Sequence, residues 1–149
     1  MGTLMLPASG SVYIDANAVI YSVERIEPYH RLLTPMWEEA KAGRFTITSS
    51  ELVVLETLIK PLRDGNGRLE MLFRSILDSE EVHLVAATLP VWEDAARIRA
   101  TTGLEASDAL HAATALRQGC SLFVTNDGDF RRVRELPLVV LDDLLTEET

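Results

Sequence analysis

The sequence predicts an α/β fold, a three-layer α/β/α sandwich around a mainly parallel central sheet of about five strands. Three observations carry this expectation. Short continuous apolar runs, rich in β-branched and aromatic residues, recur along the chain and suit strands covered on both faces. Longer amphipathic stretches separate them, each bounded by helix start and stop residues. At 149 residues and 47% hydrophobic composition, the chain can build one sizeable core but not two.

The elements follow in order. Residues 1–10 read as a flexible leader, residues 11–142 as a single domain and residues 143–149 as an acidic tail. Val12–Ile14 is the first apolar strand, and Asn17–Val23 supplies a turn or two of helix. In "TPMWEEAKAG", Thr34 stands as N-cap, Pro35 as first helical residue and Gly43 as the stop. Arg44–Thr48 is a second strand. Thr48 and Glu51, three residues apart, form a capping box for a helix whose apolar stripe is Leu52, Leu55, Ile59 and Leu62. After Gly65-Asn66-Gly67, the residues Leu69, Leu72, Phe73, Ile76 and Leu77 mark another amphipathic helix. Val82–Ala86 is a third strand, followed by a helix from Pro90 to Gly103. "EASDALHAATALRQG" is a helix with Ser107 as cap and Gly119 as terminator. Ser121–Thr125 and Leu136–Leu141 complete the strands, and the chain from Asp142 reads as a frayed, solvated end.

Composition narrows the function. No apolar run reaches the roughly 20 residues of a membrane-spanning helix, and no basic residue precedes the short apolar patch near the N-terminus, so a cytoplasmic protein is expected. A lone cysteine, Cys120, excludes an internal disulfide and a thiolate metal cluster. The net charge of −9 works against nonspecific attraction to nucleic acid or anionic lipid.

In open parallel sheets, ligands bind beyond the carboxyl ends of the strands. Two acids meet that rule: Asp15 directly follows the first strand, and Asp127 follows the fourth after Thr125 and Asn126. Asp108 lies in the first turn of its helix, where the macrodipole favours an anion. Glu56 is mid-helix and borders the apolar stripe, whereas Glu51 belongs to the capping box and a different face. Four carboxylates on one rim repel one another, and a hard divalent cation, Mg²⁺ or Mn²⁺, relieves this through oxygen ligands. The matching chemistry is phosphodiester hydrolysis with one or two ions. Each acid also has a plainer reading: a helix cap for Asp15, a dipole partner for Asp108, turn chemistry for Asp127. Asp129 is either an auxiliary acid or a solvated turn residue. His111 reads as a packed core histidine, Trp37 and Trp92 as core or interface anchors, and Cys120 as a buried thiol. His30 and His83 have no supporting neighbours.

In order and spacing, "YIDANAVIY", "ITSSELVVLETL", "SDALHAATAL" and "FVTNDGDF" resemble the PIN-domain nucleases, and among them the VapC-type toxins of toxin–antitoxin pairs. The resemblance runs from about Val12 to Leu141. It implies a PIN-like fold and places metal-binding acids at Asp15, Glu56, Asp108 and Asp127. Supporting roles fall to Asn17 and Thr125, with Asn126 and Asp129 beside them. It further implies an endoribonuclease using Mg²⁺ or Mn²⁺, acting on RNA, forming a homodimer and silenced by an antitoxin protein. Two basic groups are candidates for RNA contact: Lys60, Arg63, Arg68 and Arg74, and the cluster Arg131, Arg132 and Arg134.

Two alternatives stand beside this reading. A haloacid-dehalogenase-like phosphatase would use Asp15 as nucleophile, but Asn17 stands where that chemistry wants a second acid. A PIN-like module without catalysis would hold RNA or a partner only.

Overall fold

The computed structural model describes residues 2–146; Met1 and the end of the expected acidic tail, residues 147–149, lie outside the described residues. Five strands form one sheet with every pairing parallel: β1 (Ser11–Ile14), β2 (Thr46–Ser50), β3 (Val82–Val85), β4 (Leu122–Thr125) and β5 (Leu138–Val140). Their spatial order is β3-β2-β1-β4-β5. β1 is central, with Val12 opposite Ile47 on one side and Leu122 on the other.

Side chains alternate across the pleat and build two cores. Val12, Ile14, Ile47 and Val124 pack against α1 (Ala16–Val23), α2 (Tyr29–Lys41), α3 (Leu52–Asp64), α4 (Gly67–Leu77) and α7 (Leu141–Leu145). Tyr13 and Phe123 point the other way, into a core with α5 (Leu89–Thr102) and α6 (Ala106–Gln118). The expected three-layer α/β/α architecture is therefore present, with the sheet wholly parallel.

The order of the strands fixes where a ligand can reach the sheet. From β1 the chain builds outward through β2 to β3, then returns across β1 to lay down β4 and β5. The connections diverge between β1 and β4, and there the carboxyl ends of the strands open a crevice. Asp15 directly follows β1, and Thr125 ends β4.

Several boundaries differ from expectation. α2 begins at Tyr29, so Thr34 and Pro35 are interior; the Thr34 hydroxyl donates to the His30 carbonyl at 2.8 Å. Burial of Leu32, Leu33 and Met36 extends the helix beyond its capping signal. β2 runs to Ser50 and takes Thr48 into the ladder opposite Tyr13 and His83. The capping box is thereby lost: Glu51 makes no side-chain cap bond, and the Leu52 N–H donates to Ser50 Oγ at 3.1 Å. Ser107 is inside α6, whose N-cap is Glu105. Gly65, Gly103 and Gly119 do terminate their helices in the left-handed region, at φ of 65°, 75° and 64°.

At the C-terminal end, Leu141 and Leu144 are buried in α7 rather than frayed. Asp142 accepts from the Tyr29 hydroxyl at 2.6 Å, and Asp143 receives both bonds of a forked contact from Arg131 at 2.7 and 2.6 Å. Near the other terminus, Leu4 is buried and the Gly2 N–H donates to the Leu144 carbonyl at 2.7 Å.

Candidate active site at the strand ends

Asp15 is buried at the junction of β1 and α1, and both its oxygens are used. Oδ1 accepts the Ala18 N–H at 3.3 Å and caps α1; Oδ2 accepts the Thr125 hydroxyl at 2.5 Å. The cap expected as the plainer alternative is therefore real, and it uses only one oxygen. Burial raises the Asp15 pKa above the ordinary carboxylate value, with Glu56 adding to the rise; Thr125, His111 and the Ala18 N–H work against it.

Thr125 ties two acids together. While its hydroxyl donates to Asp15, its oxygen accepts the Asp127 N–H at 3.0 Å. Asp127 Oδ1 then accepts the Asp129 N–H at 2.9 Å and caps the 3-10 turn Gly128–Arg132. The β4 end thus orients Asp127 through backbone and hydroxyl contacts that need no further protein partner.

Asp108 lies in the first turn of α6, half-buried. Its pKa is raised to about 6, chiefly by burial and then by the charge of Asp127, with smaller contributions from Asp15 and Glu56; His111 opposes these. Asp15, Glu56 and Asp127 therefore each bear electrostatically on Asp108. They are not closed into a coordination group: among the described residues, no three of the His, Cys, Asp and Glu side chains are drawn tightly enough to grip an ion as they stand.

Glu56, on α3, has 24% of its side chain exposed, and its Oε1 lies 2.7 Å from His111 Nε2. His111 is buried in α6, and its Nδ1 lies 2.6 Å from the Tyr13 hydroxyl. Burial pushes the Tyr13 hydroxyl well above its ordinary pKa, so it stays a protonated hydrogen-bond partner of Nδ1. An ionised Glu56 carboxylate only accepts, so Nε2–H is the donor to it. His111 is buried as expected, yet it also carries a bond between a core tyrosine and a rim acid. The signal was present in the sequence, because His111 follows Asp108 by one helical turn and shares its face.

The expected supporting residues divide. Thr125 contacts the acids, whereas Asn17 is exposed at the start of α1. Asn126 turns away: its Nδ2 donates to the Tyr21 hydroxyl at 3.3 Å, and its Oδ1 accepts the Asp142 N–H at 2.8 Å. Asp129 is exposed, with Arg132 3.5 Å from its carboxylate.

The PIN domain family model matches residues 12–136. This chain belongs to the PIN domain family. Among solved structures, it is similar to VapBC2 from Rickettsia felis bound to a promoter DNA fragment, with TM-score 0.69 and 18% identity over 87% of this chain and 97% of that one. A Mycobacterium tuberculosis toxin, VapC20, described as cleaving the sarcin–ricin loop, gives TM-score 0.68 and 18% identity, covering 85% and 97% of the two chains. A toxin–antitoxin complex from Klebsiella pneumoniae gives 0.64 and 18%, covering 86% and 95%. No curated protein matches at the sequence level. PIN membership sets aside the haloacid-dehalogenase reading.

On this PIN domain, most candidate RNA-contacting cations are paired with acids. Lys60 faces Glu24 at 3.6 Å, Arg63 faces Asp64 at 3.4 Å, and Arg74 faces Glu70 at 2.8 Å. Arg131 holds Asp143, and Arg132 approaches Asp129. Arg68 and Arg134 have no ion pair among the described residues. Among those same residues, no helix is long and apolar enough to cross a membrane.

Proposed function

We propose that this PIN domain is a metal-dependent endoribonuclease, the toxin of a toxin–antitoxin pair acting in the cytoplasm. The observation that carries the reading is Asp108, held at about 6 by burial first and then by the charges of Asp127, Asp15 and Glu56. Such a cluster is costly to keep, and bound positive charge offsets that cost. The donors are all hard oxygens, which fits Mg²⁺ or Mn²⁺, one ion or two. An ion held there would supply a more acidic water as nucleophile and stabilise the leaving oxygen of a phosphodiester.

The chain's own part is positional. Thr125 and the Ala18 N–H fix Asp15 in one orientation, and Thr125 with the Asp129 N–H fixes Asp127. Asp108 would join them as a ligand, and Glu56 would complete the set and orient the attacking water. The similar structures described as a toxin–antitoxin complex and as a sarcin–ricin-loop cleaving toxin support RNA as substrate and an antitoxin as partner. An exposed apolar stripe on α3, with Leu55 63%, Ile59 57% and Leu62 55% exposed, supports a protein partner, whether antitoxin or second copy.

The test is cleavage of a panel of structured RNAs with and without Mn²⁺. Asp15→Asn is expected to abolish cleavage while its thermal unfolding stays cooperative. Mn²⁺-dependent turnover by a folded Asp15→Asn protein would reject the site.

A further inference from the structure

Glu56 differs from the other three acids. Asp15 and Asp127 are pinned by backbone N–H groups and Thr125, and Asp108 is short and stands in the first turn of its helix. Glu56 is a long side chain in the middle of α3, partly exposed, and free rotation would let it swing away from the neighbouring acids. One contact opposes this: the 2.7 Å bond from His111. The imidazole making it is itself immobile. It is 1% exposed, meets the Tyr13 ring edge-on with centroids 5.7 Å apart, and bonds the Tyr13 hydroxyl. Tyr13 in turn stacks on Phe123 of β4 at 4.9 Å. A rigid train thus runs from the sheet through Tyr13 and His111 to a single carboxylate oxygen, leaving Oε2 of Glu56 without a protein partner among the described residues.

We propose that His111, braced by Tyr13, is a positioning residue that presents the Glu56 carboxylate to the cation site. The inference rests on the nuclease reading above and adds a residue to it. A buried histidine satisfied only for packing would be replaceable by an apolar side chain of similar volume. A positioning histidine is replaceable only by a group that donates from the same place. Glutamine does so, because its side-chain amide nitrogen can stand near the position of Nε2.

Mn²⁺ titrated calorimetrically into the full chain without RNA separates these cases, with thermal unfolding run on every variant. The wild type is expected to bind Mn²⁺ in a manner that Asp15→Asn removes. His111→Leu is expected to weaken binding by about 10- to 100-fold, as loss of a ligand-orienting partner does, and His111→Gln to recover most of it. Tyr13→Phe keeps the ring and removes the brace, so it is expected to weaken binding by less than His111→Leu. It also decides the matter if His111→Leu does not fold. Wild-type Mn²⁺ affinity in folded His111→Leu or in Tyr13→Phe, or equal losses in the Leu and Gln variants, would overturn the inference and leave the nuclease reading standing. No Asp15-dependent Mn²⁺ binding in the wild type would overturn both.

Discussion

Asp15 is a carboxylate kept inside the protein, and the hydroxyl of Thr125 is what makes that tolerable. Thr125→Val preserves the shape of the side chain while removing the donor to Asp15 and the acceptor for the Asp127 N–H. Stability is expected to fall by about 1–3 kcal/mol, the usual cost of an unsatisfied buried polar group, measured by urea unfolding. Asp108, whose pKa is raised as that of Asp15 is, has no hydrogen bond working against the shift. Its folded pKa of about 6 lies above the ordinary value of 3.8. Below about pH 4 both folded and unfolded chains are protonated there, and Asp108 contributes no difference. Between about 4 and 6 the unfolded chain loses its proton first, so the folded state is progressively disfavoured; above 6 the penalty is complete. Asp108→Asn is therefore expected to stabilise the metal-free protein by about 1–2 kcal/mol at pH 7.5, less than the roughly 3 kcal/mol of the full shift because solvent screens the half-buried carboxyl. That gain should shrink to nothing near pH 4, read from unfolding curves at both pH values.

At the scale of the element, α3 shows how a correct helix can carry a misread face. Its apolar residues lie on both sides, so spacing alone admits two stripes. Of the expected stripe, Leu52 is partly buried against the core of Tyr13 and Phe123, but Leu55, Ile59 and Leu62 face outward, and Val53, Thr57, Leu58 and Pro61 are buried instead. Tertiary packing decides this: α3 follows β2 directly and lays Val53 and Leu58 into the core beside Ile47. Leu58→Ala is expected to cost about 2–5 kcal/mol as a core truncation. Ile59→Ala is expected to stay within about 0.5 kcal/mol. Chemical denaturation of the two variants side by side checks the assignment. Glu56 lies between these faces, which is how a mid-helix acid reaches a rim shared with strand ends.

For the whole molecule, the net charge of −9 and the pairing of most candidate cations limit how RNA can be held. A phosphate must displace the carboxylate from a paired guanidinium, a competition worth about 0–1 kcal/mol for exposed pairs that an unpaired cation does not face. Arg131, forked onto Asp143, is the clearest instance. Arg68 and Arg134 are the better candidates of the two basic groups. Replacing both with Gln is expected to lower the slope of log affinity against log salt by about 0.7 for each phosphate no longer neutralised. Arg131→Gln is expected to lower that slope by less than the double replacement does, and RNA-binding titrations from low to moderate salt check both outcomes.

Local signals made the sandwich legible from the sequence alone. β-branched and aromatic apolar runs mark each strand, and left-handed Gly65, Gly103 and Gly119 stop their helices whatever surrounds them. The placement of Asp15 and Asp127 at strand ends was legible for the same reason, being a matter of adjacent residues. Tertiary structure decided the rest, wherever two local preferences competed. Thr48 could cap a helix or join a ladder, and pairing with Tyr13 and His83 won. His111 could be any core histidine until the fold set Tyr13 at one of its nitrogens and Glu56 at the other, 98 and 55 residues away in sequence. Bonds between residues so far apart leave no periodic trace in the chain, because only the packing of α6 against the sheet and α3 brings their partners within reach.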